Sequence, residues 1–294
     1  MDPATLIVLG GIAVLALARR RPRTSSALGA QGPRGGPGGG GSIPFPEPIP
    51  ARDAFILDAV KNGAAEVRWA FVRSSVQGHT GEFRVLADAL KIDGVRVNLT
   101  AVGQQHVADA LVDGGAPCML LTTKLADLLW SQRQVEIPPF EMSQTAHDLQ
   151  IMSTVARMVE HSAKIDAALA TLPQPPEGVV STVGKHWILD DRLADPKHRG
   201  MACNYGWHNK KQGPMCATPA GVLPPGGAPC HVVQDPGFMH NIGHSDYSQT
   251  CTLVSRACTI DGYPADLAQV LSDPVLSFLA SHTGRMKVLR QPGS

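Results

Sequence analysis

The stretch from Ala65 to Ala101, AEVRWAFVRSSVQGHTGEFRVLADALKIDGVRVNLTA, contains two successive runs in which apolar and polar residues alternate. Such alternation is typical of strands that bury one face and expose the other to water. Both runs therefore predict strands of a half-buried antiparallel sheet. This stretch decides the fold class, because the patterns on either side of it are helical.

Apolar residues at helical spacing appear before and after these strands. They predict helices within residues 51–63, 103–113, 122–134 and 152–172. In the third of these, Leu125, Leu128 and Leu129 share a face, and Thr122 and Thr123 offer an N-cap. After the break LPQPPEG, short strands and turns dominate. The sequence predicts an α+β fold, a mixed helix and antiparallel-sheet domain with a first half at residues 51–172 and a strand- and turn-rich second half at residues 173–294.

The first fifty residues differ from the rest of the chain. Residues 4–18, ATLIVLGGIAVLALA, are apolar and uncharged, and arginines follow at once. A membrane span needs about 17–25 residues, so this run is short, although the stems of flanking arginines can extend it. We predict an uncleaved membrane anchor over residues 1–21; a cleaved signal ending at Ala18 and a plain apolar tail are the alternatives. Residues 22–50, rich in Gly and Pro, predict a disordered linker.

Charge and cysteine content bear on location and partners. The net charge of +1 gives no electrostatic footprint for nucleic acid, so we expect no nucleic-acid partner. The arginines after the apolar run favour a cytoplasmic body, whereas the crowding of cysteines in the last third favours an exported one. The side of the membrane therefore stays open.

The segment MHNIGHSDYSQ, Met239 to Gln249, carries a candidate metal site. His240 and His244 are four positions apart, and Asp246 could add an oxygen ligand. Zinc is the cofactor that such a set would hold. Gly243 and Pro236 make a loop here more natural than a helix. A metal-free site and a polar turn are the competing interpretations.

Three short motifs could supply acid–base or nucleophilic groups: GKHW, NYGWH and HSDYSQ. A histidine, an aspartate and a serine or lysine that folding brings together are enough for such catalysis. Together with His240 from the neighbouring MHNIGH, these motifs give the candidate catalytic residues Lys185, His208, His240, Asp246 and Ser248. The alternative is that Trp187, Tyr205 and Trp207 form a packing cluster and that Asp246 and Ser248 hydrogen-bond a turn.

Taken in order, LLTTKLADLLW, GKHWIL, NYGWH and VVQDPGFMHNIGHSDYSQTCTLV give the chain a family resemblance. The ordered set resembles an uncharacterised family of bacterial proteins, many of them exported, over roughly residues 82–291. The resemblance implies a shared fold and a shared polar site, without naming a reaction. The residues that it carries over are Lys124, Asp127, Lys185, Tyr205, His208, Gln234, His240, Asp246, Tyr247 and Ser248. This chain departs from the family pattern at Thr122, His186, His244 and Gln249.

Together these observations predict a membrane-tethered protein of the cell envelope, a hydrolase that acts on a cell-wall polymer. In this scheme His208 or His240 is the general base, Asp246 orients it, and Lys185 stabilises negative charge. The alternative is a non-catalytic binding or assembly module of a phage-like or secretion structure. That module would recognise a protein partner through the candidate binding residues Trp187, Tyr205, Trp207, Gln234 and Tyr247.

Overall fold

Six α-helices, three short 3-10 helices and sheets that are antiparallel except for one two-stranded parallel pair form the part of the chain that the computed structural model describes, residues 44–209 and 232–294. The helices are α1 (Ile49–Lys61), α2 (Ala101–Ala110), α3 (Thr123–Ser131), α4 (Ala146–Ile151), α5 (Val155–Leu169) and α6 (Leu267–Ser272). The first strands are β1 (Ala65–Glu66), β2 (Trp69–Val76), β3 (His79–Leu86), β4 (Lys91–Ile92), β5 (Val95–Arg96), β6 (Val112–Asp113) and β7 (Ala116–Leu120). The later strands are β8 (Val135–Glu136), β9 (Val180–Ser181), β10 (Lys185–Ile188), β11 (Met201–His208), β12 (Val232–Asn241), β13 (Leu253–Ile260) and β14 (Tyr263–Asp266). The predicted α+β fold with antiparallel sheets is confirmed.

The largest sheet has the strand order β2-β3-β13-β7-β6, with β14 paired to β13. Its first hairpin follows from the opening sequence pattern, since Val72 in β2 is buried while its neighbour Phe71 is exposed. Gln77 and Gly78 both have positive φ angles, which suit the tight turn of a right-twisted hairpin. Because β13 lies between β3 and β7, the two halves that the sequence predicts share one sheet and one core.

Helix α3 begins where the sequence predicts. The Thr122 side chain accepts a hydrogen bond from the N–H of Leu125 at 3.2 Å, which caps the helix. Leu125 and Leu129 are buried, and the helix packs against β2 and β11. This packing places Asp127 over β11.

A second antiparallel sheet, in the order β10-β11-β12, carries most of the predicted site residues. Lys185 and His186 are neighbours in β10, so their side chains point to opposite faces of this sheet. The sheet therefore divides the predicted residues between two faces. That division is the main difference from the single pocket that the sequence predicts.

The predicted linker ends earlier than residue 50. Phe45 is buried and meets the ring of Phe55 edge-on at a centroid distance of 5.6 Å, and α1 begins at Ile49. The boundary moves because one aromatic side chain in the proline-rich stretch joins the core. The predicted anchor at residues 1–21 and the linker up to residue 43 lie outside the described residues. Within the described residues, no helix is both long and apolar enough to cross a membrane.

Four of the six cysteines lie in the described residues, and all four are buried free thiols: Cys118, Cys203, Cys251 and Cys258. Burial raises the pKa of Cys118 and of Cys258 to about 12. These thiols therefore stay protonated and inert near neutral pH, as small core residues do. Cys216 and Cys230 lie outside the described residues.

Candidate functional site

A buried carboxylate, Asp127 on α3, gathers two histidines and a tyrosine. The hydroxyl of Tyr205 lies 2.5 Å from Oδ1 of Asp127, and Nε2 of His208 lies 2.8 Å from the same oxygen. Nε2 of His282 lies 2.7 Å from Oδ2. An ionised carboxylate only accepts hydrogen bonds, so all three groups donate to Asp127. These four residues are called the Asp127 cluster below.

The backbone of β11 explains how Tyr205 and His208 reach one carboxylate. Residues three apart in a regular strand point to opposite faces. Here Gly206 and Trp207 have φ angles of 114° and 58°, and the pairing with β12 shifts register at this point. The irregularity brings both side chains to the face that α3 covers. The glycine of the motif NYGWH is therefore required by the backbone geometry, because only glycine adopts φ near 114° readily.

Burial and hydrogen bonding fix the charge state of the Asp127 cluster. Burial alone would raise the pKa of Asp127, but the hydrogen bonds from His208 and His282 outweigh it and lower that pKa. Burial and the charge of Asp127 both raise the pKa of Tyr205 well above its usual value. Asp127 therefore stays ionised and Tyr205 stays protonated near neutral pH, which preserves the hydrogen bonds between them.

His282 is the member of the cluster suited to exchange a proton. Its side chain is 10% exposed, whereas the side chain of His208 is 1% exposed. Among the described residues, Nδ1 of His282 has no hydrogen-bond partner, while Nε2 is held by Asp127. A carboxylate that orients one ring nitrogen while the other remains available is the arrangement of a general base.

Aromatic and basic neighbours close the other sides of the Asp127 cluster. The ring of Trp130 stacks on that of His208 at a centroid distance of 5.6 Å. His186 is buried beside them, and burial, then the neighbouring His208, lower its pKa to about 3. The ammonium of Lys124 donates to the backbone carbonyl of Phe278, and burial lowers the pKa of that lysine.

The opposite face of the β10-β11-β12 sheet holds the other predicted catalytic residues. His240 and His244 stack with ring centroids 4.1 Å apart, and Nε2 of His244 lies 3.4 Å from Oδ2 of Asp246. Burial, the nearby His244 and Lys185 together lower the pKa of His240 to about 4. His208 is not part of this group, because it faces α3 and pairs with Asp127 instead of Asp246. The structure therefore does not bring His208 together with His240 and Asp246 in the way that the sequence predicts.

Ser248 lies within the polar turn that the alternative interpretation describes. Oδ1 of Asp246 accepts hydrogen bonds from the Ser248 backbone N–H at 2.7 Å and from its hydroxyl at 2.5 Å. Burial alone would raise the pKa of Asp246, but the bonds from His244 and Ser248 and the charge of Lys185 lower it to about 2. Because Ser248 is buried, its hydroxyl is not accessible to a substrate as that of a nucleophile must be.

The predicted metal set does not converge on one point. The rings of His240 and His244 lie face to face at an interplanar angle of 7°, whereas two histidines on one ion direct ring nitrogens toward it. Within residues 44–209 and 232–294, no group of three or more His, Cys, Asp or Glu side chains could hold a metal ion.

The aromatic residues predicted to bind a partner lie inside the protein. Trp187, Tyr205 and Trp207 are all buried, and the indole N–H of Trp187 donates to the carbonyl of Leu99 at 2.9 Å. Tyr247 is buried too, and its hydroxyl accepts from the N–H of Met142 at 2.8 Å. These rings stabilise the packing and do not form a surface for a partner. Of the predicted binding residues, only Gln234 is half-buried, in β12.

Sequence reasoning found part of the Asp127 cluster and missed the rest. Tyr205 and His208 come from the NYGWH motif, and Asp127 came from the family resemblance. His282 was missed, because it lies alone in the segment LASHTG, 155 positions after Asp127. No local pattern marks it. Only the tertiary fold brings it to the aspartate of α3.

Comparison with known proteins finds no relative, since no family model, no curated protein and no solved structure matches the chain.

Proposed function

We propose that the chain is a hydrolase in which His282 is the general base and Asp127 orients it. The observation that carries this proposal is the 2.7 Å contact between Asp127 and Nε2 of His282, together with the unpartnered Nδ1 among the described residues. In the proposed step, Nδ1 takes a proton from a water molecule while the water oxygen attacks an electrophilic carbonyl carbon. The carbonyl π electrons move to its oxygen. When they return to re-form the carbonyl, the bond from carbon to the leaving group breaks, and the protonated His282 gives its proton to the leaving group.

The rest of the Asp127 cluster supports this role. The ionised Asp127 stabilises the imidazolium that forms when His282 accepts the proton. His208 and Tyr205 donate to the other carboxylate oxygen and hold the carboxylate in place. Lys124 contributes a positive charge close to Asp127, and its amino group is anchored on Phe278. The surrounding burial strengthens each of these electrostatic contacts.

For the substrate and location we keep the expectation drawn from the sequence. The apolar residues 4–18 and the arginines after them favour a membrane tether, and a tethered hydrolase would act on a polymer of the cell envelope. The non-catalytic binding module remains the alternative function, although the aromatic residues that suggested it are buried.

The test is release of soluble fragments from dye-labelled cell-wall sacculi by the full chain in detergent. We expect His282→Gln and Asp127→Asn to lose at least ~100-fold in rate while circular dichroism stays unchanged. His147→Gln is the matched control, because His147 is exposed. Equal rates in all four proteins would reject His282 as the base.

His240→Gln separates this proposal from the cluster on the opposite face. If hydrolysis disappears in that variant and persists in His282→Gln, the base belongs with Asp246 and Lys185 instead. If the folded wild-type chain binds sacculi and releases nothing, the binding module is favoured.

A further inference from the structure

Two segments of the chain, residues 190–200 and 281–293, lie side by side, and the second contains His282. Oδ1 of Asp191 accepts hydrogen bonds from the backbone N–H groups of Lys287 and Val288, at 2.7 and 2.8 Å. A pocket of about 130 Å³ is lined by both segments, including Ser281 and Thr283 on either side of His282. Both segments thus contribute residues to one pocket, and His282 lies in the sequence between two of its lining residues.

Farther along, the same segments open into a groove of about 810 Å³. This volume is within the range of about 300–1,000 Å³ that ligand sites occupy. Its apolar lining includes Leu193 and Val288, which are buried, and Ile242 and Leu289, which are half-buried. No Trp, Tyr or Phe is among the described residues that line it. Sugar rings usually stack on aromatic side chains, so this lining suits apolar peptide side chains better than a glycan.

The charge of the groove is positive and unneutralised. Arg199 and Lys287 are exposed in its lining, and among the described residues neither side chain has an ion-pair or hydrogen-bond partner. The other charges of the lining are already paired, since Asp195 binds Lys197 and Arg290 binds Asp109. Two unpaired cationic side chains beside an apolar lining favour a ligand that carries carboxylates.

The remaining parts of this chain have the wrong charge to be that occupant. Residues 1–43 contain five arginines and a single acidic residue, Asp2. Residues 210–231 contain Lys210 and Lys211 and no Asp or Glu. Like charges repel, so neither segment complements Arg199 and Lys287.

We propose that this groove binds an extended acidic peptide, with carboxylates on Arg199 and Lys287 and apolar side chains on the lining, as the substrate subsite of the hydrolase. The proposal rests on His282 as the base, because the segment that contains His282, residues 281–293, also lines the smaller pocket and the groove. Arg199 can bind a carboxylate through two parallel hydrogen bonds, whereas Lys287 binds one through its compact positive charge. The substrate class would then be a polymer or protein that presents acidic peptide strands.

The experiment measures binding by fluorescence anisotropy with the full chain in detergent. The probe is a fluorescein-labelled peptide in which Glu and Leu alternate. We expect the double variant Arg199→Gln/Lys287→Gln to bind it at least ~10-fold more weakly than the wild type. The matched control, Lys61→Gln/Lys164→Gln, removes the same charge from exposed positions on α1 and α5 and should stay within ~2-fold.

Three results would overturn the groove as an acidic-peptide site. They are equal affinity for a Lys-Leu peptide, equal weakening in the control variant, and tighter binding of an acidic oligosaccharide than of the peptide.

His282→Gln separates the groove from the catalytic proposal. It should bind the probe with unchanged affinity. If the peptide binds through Arg199 and Lys287 but His282→Gln leaves hydrolysis intact, the catalytic proposal fails and the groove stands. If His282→Gln abolishes hydrolysis and the groove variant leaves binding unchanged, the groove fails and the base stands.

Discussion

Nε2 of His282 lies 2.7 Å from Oδ2 of Asp127, although 155 positions of the chain separate the two residues. The other oxygen of the same carboxylate, Oδ1, accepts hydrogen bonds from His208 and Tyr205. A buried carboxylate shared by three donors fixes the orientation of each of them. This cluster, and the buried groups on the other face of the β10-β11-β12 sheet, make four predictions about activity, stability and pH dependence.

Asp127→Asn should separate the catalytic role of the carboxylate from its structural one. The amide keeps the shape of the carboxylate but carries no charge. Its NH2 group is a hydrogen-bond donor, so it cannot accept the hydrogen bond that the replaced oxygen accepted. We expect a loss of about 1.5–3 kcal/mol in the free energy of unfolding, measured with urea, because charge-assisted hydrogen bonds disappear. Hydrolysis should fall by at least ~100-fold. A variant as stable and as active as the wild type would contradict the proposed role of Asp127.

Gly206→Ala should disturb the Asp127 cluster through the backbone. An added Cβ would lie 3.1 Å from Cδ2 of His186, at a φ of 114° that side chains rarely adopt. We expect the free energy of unfolding in urea to drop by about 1–3 kcal/mol. Gly243→Ala is the matched control, since its added Cβ would lie 3.4 Å from the Asn241 side chain and no positive φ is needed there. An equal effect of both changes would refute the backbone argument.

His161 should make the fold sensitive to mild acid. Burial lowers its pKa to about 4, although the charge of Asp246 acts in the opposite direction. The unfolded chain, with a histidine pKa near 6.5, therefore binds more protons than the folded one between about pH 4 and 6.5. Stability is complete above about pH 6.5 and falls as the pH drops toward 4, by about 2 kcal/mol from this residue at pH 5.

The measurement is the melting temperature from pH 7.5 to 4.5, compared between the wild type and His161→Phe. The slope in this window should be smaller in the variant. His186 and His240, with a pKa of about 3 and about 4, add to the slope in both proteins. An identical slope in the two proteins would show that His161 does not contribute.

Asp246 should govern a second acid transition at lower pH. Its pKa of about 2 is below the usual value of 3.8, so its stabilising contribution is present above pH 3.8 and is lost as the pH falls through 2. The shift corresponds to about 2 kcal/mol. Asp246→Asn should therefore lower the free energy of unfolding at pH 7 by about that amount and flatten the transition below pH 4. A steep transition that survives in the variant would assign it to other carboxylates.

Local signals explain the parts of the fold that the sequence predicts well. The cap at Thr122 and the apolar face that begins at Leu125 define α3 within a few residues, and the alternation around Val72 defines β2. Both features depend on neighbours in the chain, so a pattern of a few residues is enough. The predicted helix over residues 152–172 is likewise found as α5, which begins three residues later behind a Thr154 cap.

The candidate site was harder to predict, because it depends on which face each side chain occupies. Lys185 and His186 are adjacent, yet they belong to different clusters on opposite faces of one sheet. The convergence of Tyr205 and His208 depends on two positive φ angles that composition does not reveal. His282 joins them only through long-range packing. The residue types of the site were therefore largely foreseen, while their grouping was not.

The place of β13 in the large sheet has a consequence for how the protein folds. β13 lies between β3 and β7, which precede it by well over a hundred residues in the sequence. The sheet therefore cannot be completed until the chain has been synthesised as far as residue 260. Such distant pairing demands a large loss of chain entropy before any contact stabilises it, and folding is slow as a result. Until β13 arrives, β3 and β7 each present an unpaired edge to other chains. We therefore expect a nascent or truncated chain that stops before Leu253 to self-associate and to depend on chaperones, whereas the full chain should not.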